Sequence, residues 1–233
     1  MRYFQILCLV LLMGGPVAAQ SSWDIPSRHG EILIDGYLKE WDGVPSLTIA
    51  PSVAGLRRGG DFSGDSDVFL KVQALWDPRV LYLALTWKDN VWDVEEVSRE
   101  NAVWIDAKKK RRDRMFFFDY LKFHIRDADY DYTFWLSPRV DERGPFFWCR
   151  LLEGYKGMER ATASPMVTAR QEDGTVTMEV MLLWKELKID PKPDRAIPLT
   201  LILSDSDLPG RMLESKLNDL KWIAWRGEVN LLP

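Results

Sequence analysis

The chain has 233 residues, of which 46% are hydrophobic and 28% are charged, and its formal net charge at pH 7 is −4. This composition is typical of a soluble globular protein. The small acidic excess gives no general reason to expect nucleic acid or an anionic membrane as a partner.

The N-terminal residues have the pattern of a secretory signal peptide. Arg2 supplies a positive start, residues 6–13 form an apolar core, and Ala19 ends a small-residue cleavage site. The apolar core is too short to span a bilayer. We therefore expect residues 1–19 to be removed after Ala19, and residues 20–233 to form one domain that is secreted or periplasmic.

Residues 67–90 predict a β-hairpin around which the rest of the domain packs. Apolar residues alternate with others on both sides of Asp77 and Pro78, and proline pre-sets a backbone angle suited to a turn. A hairpin alone is marginal in water, so its apolar face must pack against a second sheet. The residues of that face are Val68, Leu70, Val72, Ala74, Trp76, Leu81, Leu83, Leu85 and Trp87.

The remainder of the chain predicts short strands separated by turns, with no long helix. This pattern favours an all-β fold, a two-sheet antiparallel β-sandwich of jelly-roll or immunoglobulin-like type. The segments 51–67 and 89–114 are predicted to be irregular. The other predicted strands are 32–34, 45–51, 119–126, 129–136, 146–152, 161–170, 176–182, 197–203, 221–226 and 229–232, with a helical turn at 184–187.

Catalytic motifs are absent from the sequence. There is no G-x-S-x-G, H-E-x-x-H or C-x-x-C motif and no phosphate-binding glycine loop. The two histidines, His29 and His124, do not accompany a serine in a nucleophile elbow. A pair of carboxylates for glycoside hydrolysis stays open, because such pairs form in space rather than in sequence. We nevertheless expect a protein that is not an enzyme.

A series of short motifs in fixed order resembles the family 9 carbohydrate-binding modules. The motifs are Ile34-Asp35-Gly36 followed by Glu40-Trp41, Ala74 to Asp77, Leu81 to Leu83, Lys88 to Asn90, Asp173-Gly174, Glu179-Val180, Leu183 to Leu187 and Leu203 to Asp207. The resemblance implies a β-sandwich that binds sugars, often with structural calcium. It also implies a polysaccharide-degrading enzyme as a partner, and an envelope complex is the other partner we expect.

The same resemblance implies that tryptophans hold the sugar, and eleven tryptophans are present. Trp41 matches the first of the family's two clamping tryptophans, and Trp104 or Trp92 matches the second. Lys122 stands where the family usually has a glutamate on the middle strand. Trp225 completes the predicted ligand contacts. An indole suits this task because the C–H face of a sugar ring stacks on it.

Two charged segments have alternative interpretations. Asp127, Asp129 and Asp131 lie at a spacing of two, so an extended segment places them on one face, where they suit Ca²⁺ or form a solvated strand end. The basic run 108–114 is either a solvated loop or an anion contact, which beside Trp104 would favour an acidic sugar. Weaker candidates for the calcium interpretation are Asp61, Asp65, Asp67, Asp205 and Asp207.

Haem b binding in a periplasmic electron-transfer system is the alternative function. Related sandwich domains hold haem between a methionine and a histidine or lysine, and residues 81–89 also resemble haem-binding subunits of periplasmic dehydrogenases. His124 or Lys122 would be one axial ligand. The candidate methionines are Met115, Met166, Met178 and Met181. A third interpretation is a scaffold for interactions in the cell envelope.

Overall fold

A computed structural model gives the structure of the chain. It describes residues 22–53, 56–58, 62–94, 103–105, 111–113, 118–126, 130–140, 145–153, 158–159, 166–193, 195–207 and 221–233. The candidate residues Asp61, Met115, Asp127 and Asp129 lie outside these ranges, as does the expected signal peptide.

Strands make up nearly all of the regular structure in these ranges. They are β1 (Ser22–Ile25), β2 (Ser46–Ile49), β3 (Leu56–Arg58), β4 (Val68–Trp76), β5 (Val80–Asp89), β6 (Val103–Ile105), β7 (Arg111–Asp113), β8 (Tyr120–Arg126), β9 (Tyr130–Ser137), β10 (Phe146–Glu153), β11 (Met158–Glu159), β12 (Met166–Glu172), β13 (Thr175–Leu183), β14 (Ala196–Asp205) and β15 (Lys221–Leu231). The described part of the chain adds one short 3-10 helix, Lys39–Trp41, and contains no helix long and apolar enough to cross a bilayer.

The strands form two main sheets, as the sequence predicted. The larger sheet has the order β1-β15-β14-β8-β9-β10-β11, with β3 also paired to β15, and the smaller sheet has the order β12-β13-β5-β4-β2. Strands β6 and β7 pair with each other separately. Every pairing between these strands is antiparallel except that of β1 with β15.

The predicted hairpin is confirmed as β4 and β5 at the centre of the smaller sheet. Asp77 Oδ1 accepts hydrogen bonds from the backbone N–H groups of Arg79 (2.8 Å) and Val80 (2.9 Å), which fixes the turn around Pro78. All nine apolar residues predicted for the buried face belong to the main core. The core lies between the sheets and is completed from the larger sheet by alternate residues, including Leu121, Phe123, Phe134, Leu201, Leu203 and Ile223.

Several predicted boundaries are wrong. Residues 32–34 form no strand, since Ile32 and Ile34 pack instead on a second apolar cluster outside the smaller sheet. The predicted strands 221–226 and 229–232 are one continuous strand, β15. Short strands also occur in both segments predicted to be irregular, namely β3, β6 and β7.

Candidate functional site

The outer face of the larger sheet presents polar, cationic and aromatic side chains away from the core. Cross-strand partners lie side by side on the same face of a sheet, so the register builds continuous rows. The two central rows are Ala224–Ile202–Lys122–Trp135 and Arg226–Thr200–His124–Thr133. Trp148 and Arg150 occupy the paired positions of β10, and Trp222 lies beside Ser204 in the next row.

Part of this surface is accessible. Lys122, His124, Thr200, Ile202 and Trp222 are half-buried and Arg226 is exposed; together these six residues are called the polar face below. Trp135 is only 2% exposed, and Lys122 Nζ lies 5.4 Å from its ring centroid. The polar face thus combines one accessible indole with hydrogen-bonding groups and positive charge.

Of the predicted ligand contacts, only Lys122 belongs to the polar face. The sequence analysis did not predict Trp222, Thr200 or Ile202 as ligand contacts. The alternation within β15 could have identified Trp222, because Ile223 and Trp225 are buried apolar positions and their neighbours must point the other way.

Trp41 lies on the opposite side of the molecule, outside the smaller sheet. It is 1% exposed and packs in the second apolar cluster with Leu75, Val80 and Tyr82. Its Nε1 donates a 2.8 Å hydrogen bond to Glu179 Oε1 on β13. In this position the ring offers no open surface on which a sugar could stack.

Glu179 also anchors the Asp35-Gly36 turn. The backbone N–H groups of Asp35 and Gly36 donate to Glu179 Oε2 at 2.9 and 2.7 Å. Gly36 has φ +85°, and a Cβ there would lie 3.3 Å from the Arg170 side chain, so glycine suits this close approach. Burial raises the pKa of Glu179 above its ordinary value of 4.5, although the hydrogen bond from Trp41 acts in the other direction.

The other predicted tryptophans occupy separate places. Trp225 is 6% exposed and meets Trp23 edge to face in the core, with ring centroids 6.5 Å apart. Trp92 is half-buried, and its ring is tilted relative to that of Trp87, with the ring centroids 5.8 Å apart. Trp104 lies in β6 opposite Arg112, and its side chain is outside the described part of the structure. The structure therefore does not bring the four predicted tryptophans into one site.

Buried carboxylates gather at one end of the sandwich. They form two groups, and within each group the carboxylate oxygens lie within 4.8 Å of one another. One group is Asp67, Asp205 and Asp207, and the other is Asp89, Asp119 and Asp205. These five residues are called the carboxylate cluster below. Three of them were weaker predictions from sequence; Asp131 is a β9 position whose side chain is not described, and Asp65 bonds to Ser52 at the surface.

The group around Asp119 is the more deeply buried of the two. Asp119 is 0% exposed and accepts hydrogen bonds from the backbone N–H groups of Asp93 and Ser206. Asp205 is 0% exposed, and its Oδ1 has no hydrogen-bond partner within the described ranges. A buried carboxylate oxygen without a partner is costly, so this geometry suits a cation ligand.

The carboxyl groups of the cluster have unequal pKa values. Burial raises the pKa of Asp89 to about 8, and the charges of Asp205, Asp207 and Asp67 act in the same direction. Burial and the Asp89 charge raise the pKa of Asp119 well above its usual range, and burial raises that of Asp205 to about 6. Burial alone would raise the pKa of Asp67, but the hydrogen bonds from Lys221 and Ser63 and the charge of Lys221 lower it, and the net result is a lowered pKa.

The haem alternative is not favoured by this arrangement. His124 lies on the outer face of the larger sheet, whereas Met166, Met178 and Met181 belong to strands of the smaller sheet. A cavity between the sheets, at the end away from the carboxylate cluster, measures about 30 Å³ and is lined by apolar residues that include Trp23, Phe123 and Trp184. That volume has room for about one or two water molecules, far below the size of a haem.

Solved structures show where this fold occurs. A family 9 carbohydrate-binding module from Caldicellulosiruptor kristjanssonii in complex with cellotriose superposes with a TM-score of 0.56 and 12% identity, covering 90% of this chain and 94% of that one. A family 9 module from the same organism in complex with glucose superposes with a TM-score of 0.57 and 12% identity, covering 90% of this chain and 95% of that one. No protein-family model matches the chain, and no curated protein matches it in sequence. The chain therefore has the fold of a family 9 carbohydrate-binding module, as the sequence resemblance predicted.

Proposed function

We propose that this protein is a non-catalytic carbohydrate-binding domain and that it binds its ligand on the polar face. The observation that carries the proposal is the accessible outer surface of β8, β14 and β15, where Ile202 pairs with Lys122 and Thr200 pairs with His124. Trp222 lies on the same surface, in the next row. Solved structures of the same fold hold cellotriose and glucose. Export to the periplasm or cell exterior, after cleavage behind Ala19, is part of this proposal.

The chemistry of the polar face suits a sugar. An indole and an isoleucine side chain provide the apolar surface that the C–H groups of a pyranose require. Ammonium, imidazole and hydroxyl groups provide fixed partners for sugar hydroxyls. Trp41 and Trp225 are left out of the proposed site because their rings are buried, whereas Trp92 and Trp104 stay as predicted contacts beyond this face.

An acidic sugar suits the polar face better than a neutral one. Lys122 and Arg226 bring positive charge to its two rows. A carboxylate or sulfate on the sugar would form charge-assisted hydrogen bonds with these groups, which are roughly twice as strong as neutral ones. The Lys122 position is where the sequence departs from the pattern of the family that it resembles.

The carboxylate cluster supports the proposal of a structural calcium ion. Asp89, Asp119 and Asp205 would hold it, since hard carboxylate oxygens suit Ca²⁺ and the Asp205 Oδ1 atom has no hydrogen-bond partner among the described residues. When bound, the ion would supply positive charge that offsets the repulsion of the buried carboxylates.

Quenching of tryptophan fluorescence by oligogalacturonate and by cellotriose tests the proposed ligand. We expect oligogalacturonate to bind more tightly, and Lys122→Ala to weaken that binding tenfold or more, because a hydrogen bond to a charged group contributes about 1.5–3 kcal/mol. Lys88→Ala removes an exposed lysine of the smaller sheet and serves as the control. Equal losses in the two variants, or no quenching by any acidic or neutral sugar, would contradict the proposal.

Thermal unfolding with and without calcium tests the ion site. We expect calcium to raise the melting temperature of the metal-free wild-type protein, and Asp89→Asn to reduce this rise. Asp190→Asn removes a carboxylate that pairs with Lys192 at the surface and serves as the control. A melting temperature that does not respond to calcium would contradict a calcium site.

A further inference from the structure

Among the described residues, Lys221 has its ammonium group inside the carboxylate cluster. It begins β15, and its side chain is 10% exposed. Its Nζ lies 2.6 Å from Asp207 Oδ2, 3.0 Å from Asp67 Oδ2 and 3.1 Å from Asp205 Oδ2. Nζ donates hydrogen bonds to Asp67 and Asp207 and lies within ion-pair distance of Asp205.

The three carboxylates come from both sheets. Asp67 immediately precedes β4 of the smaller sheet, whereas Asp205 ends β14 of the larger sheet and Asp207 follows it. Lys221 Nζ therefore connects the sheets at this end of the sandwich. A structural metal ion performs the same task in other proteins, by drawing oxygen ligands from separate segments to one point.

The surroundings of the ammonium group resemble those of a bound ion. Asp67, Asp205 and Asp207 offer carboxylate oxygens to one position, and the centroid of the Phe62 ring lies 5.1 Å from Nζ. Asp205 is fully buried, and its Oδ1 has no hydrogen-bond partner among the described residues. Residues within the described ranges thus combine five acidic side chains with one cation.

We propose that the Lys221 ammonium takes the place of a divalent cation between Asp67, Asp205 and Asp207. This half of the carboxylate cluster then binds no metal in the native protein, and its cohesion does not depend on the calcium concentration. The inference shares Asp205 with the calcium proposed at Asp89, Asp119 and Asp205, but it concerns the group of carboxylates that Lys221 contacts.

Calorimetric titration of the metal-free protein with calcium chloride tests the inference. Lys221→Met keeps an apolar stem and removes the charge, and we expect it to bind one more Ca²⁺ per chain than the wild type. Its melting temperature should fall without calcium and recover with it. Lys192→Met, which removes a surface lysine paired with Asp190 at 2.8 Å, should leave the number of bound ions unchanged.

A second substitution locates the gained ion. Asp207→Asn removes a ligand that lies partly at the surface, so Lys221→Met combined with Asp207→Asn should lose the additional ion again. If Lys221→Met folds only with calcium, recovery on refolding in millimolar calcium supports the inference. The same number of ions in Lys221→Met and wild type, or equal insolubility with and without calcium, overturns it. A wild type that binds no calcium would contradict only the separate calcium proposal.

Discussion

Two tryptophans on opposite outer faces of the sandwich, Trp41 and Trp222, differ in their exposure. Outside the smaller sheet, Trp41 is covered by the segment that contains Ile34 and Leu38, and its indole N–H is bound by Glu179. Outside the larger sheet, Trp222 stays half-buried among polar and cationic neighbours. The number of tryptophans in a sequence therefore does not measure a binding surface, since the segment that packs over each ring decides its role.

The largest expected effect is on stability, from Trp41→Ala. Removing a fully buried tryptophan from a packed cluster costs about 3–5 kcal/mol, and here Glu179 would also lose a hydrogen bond. The free energy of unfolding, measured in urea, should fall by this amount. Affinity for sugar in the fraction that stays folded should be unchanged, and a selective loss of sugar binding would assign Trp41 to the ligand site instead.

A smaller effect on affinity is expected from Trp222→Ala. Stacking on an aromatic ring contributes about 0.5–1.5 kcal/mol beyond burial, so sugar affinity should fall about 2- to 12-fold. Because Trp222 is half-buried, the melting temperature should change little compared with that of Trp41→Ala. Unchanged affinity, measured by calorimetry because a fluorophore has been removed, would exclude Trp222 from the ligand site.

The smallest expected effect is a change in pH dependence at Glu179. Its pKa in the folded protein lies above 4.5. Between pH 4.5 and that raised pKa, the folded state therefore keeps a proton that the unfolded chain has released. The contribution of Glu179 to the free energy of unfolding, taken as the difference between the wild type and Glu179→Gln, should therefore decrease as pH rises from 4.5 through the raised pKa, and then level off. Glu179→Gln should remove this decrease, and identical pH profiles for the two proteins would show that Glu179 does not cause it.

Alternation at a spacing of two made the fold predictable. The hairpin of β4 and β5 and the core faces of β8, β9 and β14 follow directly from it, because a strand with one buried face must alternate. The segment 32–34 could not be assigned correctly, since its isoleucines pack on the apolar cluster that contains Trp41 without pairing in a sheet. Contacts of that kind depend on chain segments far apart in sequence.

The candidate site was predictable only in part. Lys122 was found because it departs from the pattern of the family that the chain resembles. Asp67, Asp205 and Asp207 were separate weak signals, and only folding unites them around Lys221. The motif residues Asp35, Gly36 and Trp41 meet at Glu179, so this part of the resemblance reflects a structural contact within the sandwich.

The indole N–H signals of the eleven tryptophans provide the most direct test of the ligand-binding face. Titration of the ¹⁵N-labelled protein with oligogalacturonate, with signals assigned by single Trp→Phe variants, would report which rings the ligand reaches. We predict that the Trp222 signal shifts with the ligand, together with the backbone amides of Lys122 and Thr200, while the Trp41 and Trp23 signals stay in place. Shifts confined to Trp41 and its neighbours, with none at Trp222, would contradict binding on the polar face.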